Sequence, residues 1–323
     1  MDILSIILII AGLCLFETIS SIDNAIVNAE VLGTMSKRAR KWFLLWGLLI
    51  AVFLIRGLLP WLIFYVTNPS LGIIGALTAT FSNDPAVLEA VEQSAPILLT
   101  GGGVFLIFLF FHWLFVEPKN YGLKGERWIH SKSVWFFAVV SIILAGVVWY
   151  SLKINPMMAF GAVVGSTAFF ITHGFKQNAE EQERDLTKKS SGLSDLSKLF
   201  YLEVLDATFS IDGVLGAFAF TLSVPLILIG NGIGAFVVRE LTIRNVDNVK
   251  KYLFLKNGAM YSILCLGAIM ILDGFGAHIP SWVSPVVTFS VVGFFFFKSK
   301  KALKDAEKFA VKVEQNIEKA ISN

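Results

Sequence analysis

Ile3-Leu4-Ser5-Ile6-Ile7-Leu8-Ile9-Ile10-Ala11-Gly12-Leu13-Cys14-Leu15-Phe16 carries no charge and runs straight into Glu17-Thr18-Ile19-Ser20-Ser21-Ile22-Asp23-Asn24. A hydrocarbon core about 30 Å thick needs about 20 consecutive helical residues. The run reaches that length only by taking Glu17 into the apolar stretch. The same conflict, long apolar runs with a few acids inside them, recurs along the chain and decides its class.

Of 323 residues, 55% are hydrophobic and 16% charged, with a mean hydropathy of +0.71. A soluble domain carries about 25% charged residues. Here the Lys and Arg fall in short segments between uncharged ones, so the net charge of +3 reads as membrane topology rather than nucleic-acid binding. Cys14 and Cys265 each lie inside an apolar segment. They lack the spacing of a zinc or redox motif and read as small buried hydrophobes. Met1-Asp2-Ile3 lacks the basic region of a signal peptide, so the first run is expected to stay as a membrane helix.

Nine spans are expected: Ile3–Val31, Trp42–Val66, Ile97–Val116, Val134–Tyr150, Pro156–His173, Leu199–Leu222, a short Pro225–Arg239, Leu253–Leu272 and Trp282–Phe297. Lys37, Arg38, Arg40 and Lys41 fill the first loop, and the third, fifth and seventh loops and the tail are basic too. The even loops are nearly free of Lys and Arg. The positive-inside rule then puts the odd loops and the C-terminus in the cytoplasm and the N-terminus outside. In the long second loop, Asp84-Pro85 reads as a helix start. After Phe297, Leu303, Ala306, Ala310, Val313 and Ile317 recur at helical spacing, giving an amphipathic tail helix over 298–323.

One long-range repeat stands out. Glu17-Thr-Ile-Ser20-Ser21-Ile22-Asp23-Asn24 aligns without a gap on Asp206-Ala-Thr-Phe-Ser210-Ile211-Asp212-Gly213, at an offset of 189. Gly47, Ile50, Phe53 and Arg56 match Gly230, Ile233, Phe236 and Arg239 at an offset of 183. The partners lie five spans apart, so the copies enter the membrane in opposite directions. The fold class is thus all-α: a polytopic transmembrane bundle with an inverted internal repeat, an architecture common in secondary transporters. The first repeat with extra spans covers 1–175, a cytoplasmic linker 176–198 and the second repeat 199–297.

An Asp at the centre of an inserting helix costs roughly 2.5–3.5 kcal/mol, so four acids cost on the order of 10 kcal/mol unless compensated. Arg56 and Arg239 supply two positive charges against Glu17, Asp23, Asp206 and Asp212. One divalent cation, or two protons, would neutralise the rest. On a straight helix Glu17 and Ser21 share a face while Asp23 points away. A local unwinding near Ser20-Ser21 and near Ser210 would turn both acids of each pair inward, and Gly213 would tolerate it. Carboxylate, amide, hydroxyl and carbonyl oxygens suit Mg²⁺, Ca²⁺ or Mn²⁺. The candidate metal residues are Glu17, Asp23, Asn24, Asp206 and Asp212, supported by Ser21, Ser210, Arg56 and Arg239. The structural alternative is that these charges only lock helices together. Glu30 and Glu203 read as interfacial, and Asn28, Asn231 and Asn257 as helix-packing hydrogen-bonders. His112 reads as a packing residue, and His173 as incidental. Gly161-Ala-Val-Val-Gly165 and Gly230-Asn-Gly-Ile-Gly234 read as close helix contacts, since no Lys-Ser/Thr follows to make a phosphate loop.

The paired motif Glu-x-x-x-Ser-x-Asp-Asn and Asp-x-x-x-Ser-x-Asp resembles that of the TerC family of membrane proteins, closest to the branch catalogued as the 475 group of unknown function. The resemblance covers spans one to nine. It implies kinship with the inverted-repeat transporters of the lysine-exporter superfamily, and a bacterial inner-membrane location. It also implies a link to tellurite resistance, manganese efflux or metal supply to exported enzymes. Glu17, Asp23, Asn24, Asp206 and Asp212 fall on the motif positions, but Gly213 stands where the first copy has Asn24. The expected function is export of a divalent cation, Mn²⁺ foremost, as substrate with no tightly bound cofactor. The alternative is a non-transporting scaffold or sensor. The expected partners are the metal ion, the lipid bilayer and a second copy or other membrane proteins, with no nucleic acid. An enzyme is not expected: the paired acids sit six residues apart in one helix, and neither Gly-x-Gly-Asp nor His-Glu-x-x-His occurs.

Overall fold

The computed structural model describes residues 2–47, 85–187, 194–244 and 251–321, with isolated positions between 50 and 73. Arg56, Asp84 and most of the second expected span lie outside the described residues. No strand occurs among the described residues. In lipid an apolar segment must satisfy its backbone internally, and a helix does this within one segment.

The helices are α1 (Ile3–Ser20), α2 (Ile22–Gly33), α3 (Lys37–Trp42), α4 (Pro85–Phe115), α5 (Glu126–His130) and α6 (Phe136–Ile154). They continue with α7 (Pro156–Thr187), α8 (Asp195–Ala217), α9 (Val224–Arg244), α10 (Leu255–Gly274) and α11 (Val283–Ile321). Seven of them are long and apolar enough to cross a membrane, and the chain is a multi-pass membrane protein. Large apolar side chains such as Phe137, Ile142, Trp149 and Phe160 are exposed, as lipid-facing positions require.

Several boundaries differ from expectation. The helix expected to start at Asp84-Pro85 does begin at Pro85, but it runs through Pro96 into the third span as one helix rather than starting that span at Ile97. Helix α7 continues to Thr187, into the expected linker. The seventh span is a full 21 residues rather than short. The tail is no separate helix: α11 is one helix of 39 residues. Helix α8, the sixth expected span, is not among the seven, since Glu203, Asp206 and Asp212 lower its hydropathy.

Local chemistry sets the ends. Asn155 caps α7, its Oδ1 accepting from Met157 N–H at 2.9 Å with Pro156 at the first position. Helix α10 closes with Gly276 at φ 90°, where Ala277 N–H reaches Leu272 O and Gly276 N–H reaches Asp273 O. That is a glycine-terminated Schellman end. Asp273 accepts from Ile279 N–H at 2.9 Å and holds the turn.

Helix α4 is the most buried span and packs between α7 and α10. A Cβ on Gly161 would stand 2.7 Å from Ile97 O, one on Gly101 2.7 Å from Gly161 O, and one on Gly165 would overlap Gly101 O. Gly161-x-x-x-Gly165 is thus a backbone-on-backbone crossing, as expected. The same contacts give directions. Residues 97 and 101 meet 161 and 165, so α4 and α7 run parallel. Gly103 meets Gly267 and Ile271, and Gly274 meets Thr100, so α4 and α10 run antiparallel.

The loops expected to be basic and on one side meet at one end of the bundle. Lys198 Nζ donates to Thr34 Oγ1 at 3.0 Å, Asn120 to Leu253 O, and Lys298 to Gly122 O. Under them lies Glu126, 1% exposed, accepting from Gly122 N–H and from Asn257 Nδ2. Asn257 also donates to Asn120 O, so it is the packing hydrogen-bonder the sequence suggests. Lys119 caps α4 through Trp113 O and Leu114 O and lies over the Trp113 ring.

Burial pushes the Lys119 ammonium down from 10.5 to about 8, against the pull of Glu126 and Glu117 and with Lys256 adding to the shift. Between those values the unfolded chain holds a proton that the folded chain has shed. Stability from this group therefore rises with pH across that window. Lys119→Met is expected to flatten the rise in melting temperature of detergent-solubilised protein between pH 8 and 10.5. Equal slopes in the two proteins would mean that Lys119 is solvated.

Candidate functional site

Helix α1 ends at Ser20, and Ser21 takes φ −92° and ψ 3°, the sparsely populated bridge between helix and strand. Ser21 Oγ donates to Glu17 Oε1 at 2.7 Å and Ser21 N–H to Glu17 O at 3.1 Å. The break expected near Ser20-Ser21 is present. The one expected near Ser210 is absent: Ser210 Oγ donates back to Asp206 O at 2.6 Å inside a continuous α8. That bond satisfies the hydroxyl locally, so the helix need not open.

Glycines seat α1 on its neighbours. A Cβ on Gly12 would stand 2.9 Å from Phe220 Cε1, one on Gly216 would overlap the Phe16 ring, and one on Gly213 would stand 3.0 Å from Glu17 Oε2. Each step up α1 is matched by a step down α8, so the two helices run antiparallel. Continuing past the break, Thr34 meets Lys198 in the same register. The register sets Ser21 level with Ser210, at the middle of the crossing. It interleaves the levels of Glu17 and Asp23 with those of Asp212 and Asp206. Helix α9 runs parallel to α1, with Gly230 on Leu13 and Gly234 against Glu17 Cβ, at 2.6 Å from where a Cβ would lie. Gly230-x-x-x-Gly234 is therefore a close contact, as expected.

Glu17 is 1% exposed, in the junction of α1, α8 and α9. The side chains of Asp23 and Asn24 lie outside the described residues. Among the described residues no three His, Cys, Asp or Glu side chains converge as a metal ion would require. The structure brings together Glu17, Ser21 and the Asp212-Gly213 turn of α8. Arg239 faces Glu203 and Glu240.

Four features escaped the sequence reading. Glu203, expected at the interface, has both carboxylate oxygens buried without a hydrogen-bond partner. It lines a groove of about 600 Å³ between α3 and the start of α8, with Ser36, Trp42, Asp195 and Phe200. Asp195 accepts from Ser36 N–H at 3.2 Å there, and hydrogen bonding from Ser36, its hydroxyl foremost and then this N–H, holds its carboxyl below the usual range against burial. His112 and His173 are paired, ring centroids 3.8 Å apart, with Glu117 3.4 Å from His112 and 3.1 Å from Lys256. Asn231 is fully buried, yet neither Nδ2 nor Oδ1 has a partner. It is not the packing hydrogen-bonder expected. Only neighbours brought in by the fold reveal these four; spacing along the chain carries no signal for them.

A family model described as Protein of unknown function (DUF475) matches residues 22–305. The chain belongs to the DUF475 family. The match takes in Ile22-Asp23-Asn24 at the end of the first motif, the whole of the second motif from Asp206 to Gly213, and every helix from α2 to α10; Glu17 and Ser21 lie before it. No curated protein and no solved structure matches this DUF475 chain.

Proposed function

We propose that this DUF475 protein is a membrane transporter that exports a divalent metal cation, Mn²⁺ foremost, through a carboxylate site between two inverted repeats. The observation that carries the reading is the antiparallel crossing of α1 and α8. It sets the two acid-Ser-Asp motifs level with each other and presses Glu17 against Gly213, next to Asp212. A broken helix beside buried carboxylates is a common way to build a cation site at a repeat interface. Glu17, Asp23, Asn24, Asp206 and Asp212 would hold the ion through oxygen, with Ser21, Ser210, Arg56 and Arg239 in support.

Helix directions support nine spans. Helices α1, α4, α7, α9 and α11 run one way, and α6, α8 and α10 the other. Parallel α1 and α4 agree with the expected second span between them, which lies mostly outside the described residues. Helix α8, despite its acids, must cross between the parallel α7 and α9. The gathering of basic loops at one end supports a cytoplasmic face there, in a bacterial inner membrane. The groove at Glu203 opens on that face and would be the entry.

The test is Mn²⁺ flux in proteoliposomes, comparing wild type with Asp23→Asn and Asp212→Asn. Flux in wild type and a loss of at least tenfold in both variants is expected. A folded wild type that moves none of several divalent ions would overturn transport and leave the scaffold or sensor reading.

A further inference from the structure

We infer that Asn231 is a further ligand of the membrane cation site, lending its amide oxygen to a hard divalent ion one helical turn from Glu17. The inference rests on the transport site proposed above and extends it to α9, away from the basic loops.

Asn231 is completely buried and both its amide nitrogen and its amide oxygen lack a partner. Its helix is one of the seven that are apolar enough to cross the membrane. A bare amide in a low-dielectric interior is unfavourable unless something polar meets it. The chain shows what a packing amide looks like in Asn257, 1% exposed, whose nitrogen reaches Asn120 O and both oxygens of Glu126. Asn231 has none of this.

Its position names the ligand. Gly230 seats Leu13 and Gly234 seats Glu17, so Asn231 falls between those two levels of α1. With Ile227 and Ala235 it forms the buried stripe adjoining that seat. Gly213 closes the other side of Glu17 and brings no side chain. The first motif ends in the amide of Asn24, while the second ends in Gly213. Asn231 supplies an amide oxygen on the second-half side of the site. Carboxylate plus amide oxygen is a donor set for Mg²⁺, Ca²⁺ or Mn²⁺.

The experiment measures melting temperature of the purified full-length chain in detergent, with and without MnCl₂, for wild type, Asn231→Leu and Asn257→Leu. Mn²⁺ flux in proteoliposomes is measured in parallel. Wild type is expected to gain a saturable Mn²⁺-dependent rise. Asn231→Leu is expected to melt no lower than wild type without metal, and to need at least tenfold more Mn²⁺ for the same rise. Asn257→Leu is expected to melt lower without metal and to keep the Mn²⁺ response. A lower metal-free melting temperature in Asn231→Leu would assign the residue to packing and overturn the inference. So would an unchanged Mn²⁺ response, or a wild type that responds to none of Mn²⁺, Mg²⁺ and Ca²⁺, the result expected if water alone meets the amide. The two readings separate cleanly. Binding weakened in Asn231→Leu without wild-type flux would sink transport and keep the ligand. Wild-type flux with an unweakened Asn231→Leu would do the reverse.

Discussion

A Gly165→Leu chain is expected not to accumulate as folded protein. The first atom of the new side chain would occupy the space of Gly101 O. The obstacle is backbone on both sides, since Gly161 and Gly101 meet Ile97 O and Gly161 O in the same crossing. No rotamer change can clear it, so α4 and α7 must separate. Overpacking a tight core costs typically 1–3 kcal/mol, and a backbone obstacle belongs at or above the upper end. Against a net stability of about 5–15 kcal/mol, that is a large share. Helix α4 also carries much of the main core, from Leu99 to Phe115, so its displacement spreads. The measurement is the yield of monodisperse protein in detergent and its melting temperature. Gly146→Leu is the control, because nothing lies within 4 Å of a Cβ there. Equal behaviour of the two variants would mean that the helices do not cross so closely.

The second large effect is on transport. Glu17→Gln is expected to fold as wild type and to lower Mn²⁺ flux about 100-fold. Glutamine has the same shape and can still accept the Ser21 hydroxyl at its side-chain oxygen, so the turn after α1 keeps its bond. What is lost is one buried negative charge. Removing one member of a buried charge pair costs about 2–5 kcal/mol, and each 1.4 kcal/mol is tenfold in affinity. Flux measured over a range of Mn²⁺ concentrations separates weakened binding from slowed turnover. Undiminished flux in Glu17→Gln would remove this carboxylate from the cation path and reduce the glycine seat around it to packing.

The helical class and the membrane location were legible because lipid leaves an uncharged run no other option. The break at Ser21 was legible too: Glu17 and Asp23 cannot share a face on a straight helix. Ser210 defeated the same argument, since its hydroxyl found a carbonyl one turn back and α8 stayed whole. Glu126 carries no signal in the sequence. Its burial depends on Asn257 at the start of α10, which donates to it, and on Lys298 of α11, which donates to Gly122 O beside it, and neither is near in sequence. Asn231 was misread for the opposite reason. A polar residue in an apolar helix usually finds a neighbour, and only the packed bundle shows that this one does not. Paired histidines 61 residues apart, His112 and His173, leave no trace in local spacing.

The glycine contacts divide the bundle into parts of different stiffness. Between α4 and α7, glycine meets carbonyl oxygen and main chain. Such a joint has no side chain to swing, so it behaves as a weld. Around α1, glycine meets mainly the side chains of Leu13, Phe16 and Glu17, which have rotatable bonds, with backbone only at Cys14 O and Pro285 Cα. Helices packed through such side chains slide by small amounts at little cost, as in shear motions. The welded pair α4 and α7 is thus a fixed frame, and α1 with α8 and α9 is the part packed to slide against it. In the transport proposed above, movement would be borne by α1 and α8, which carry Glu17, Asp206 and Asp212, together with α9, while α4 stays still.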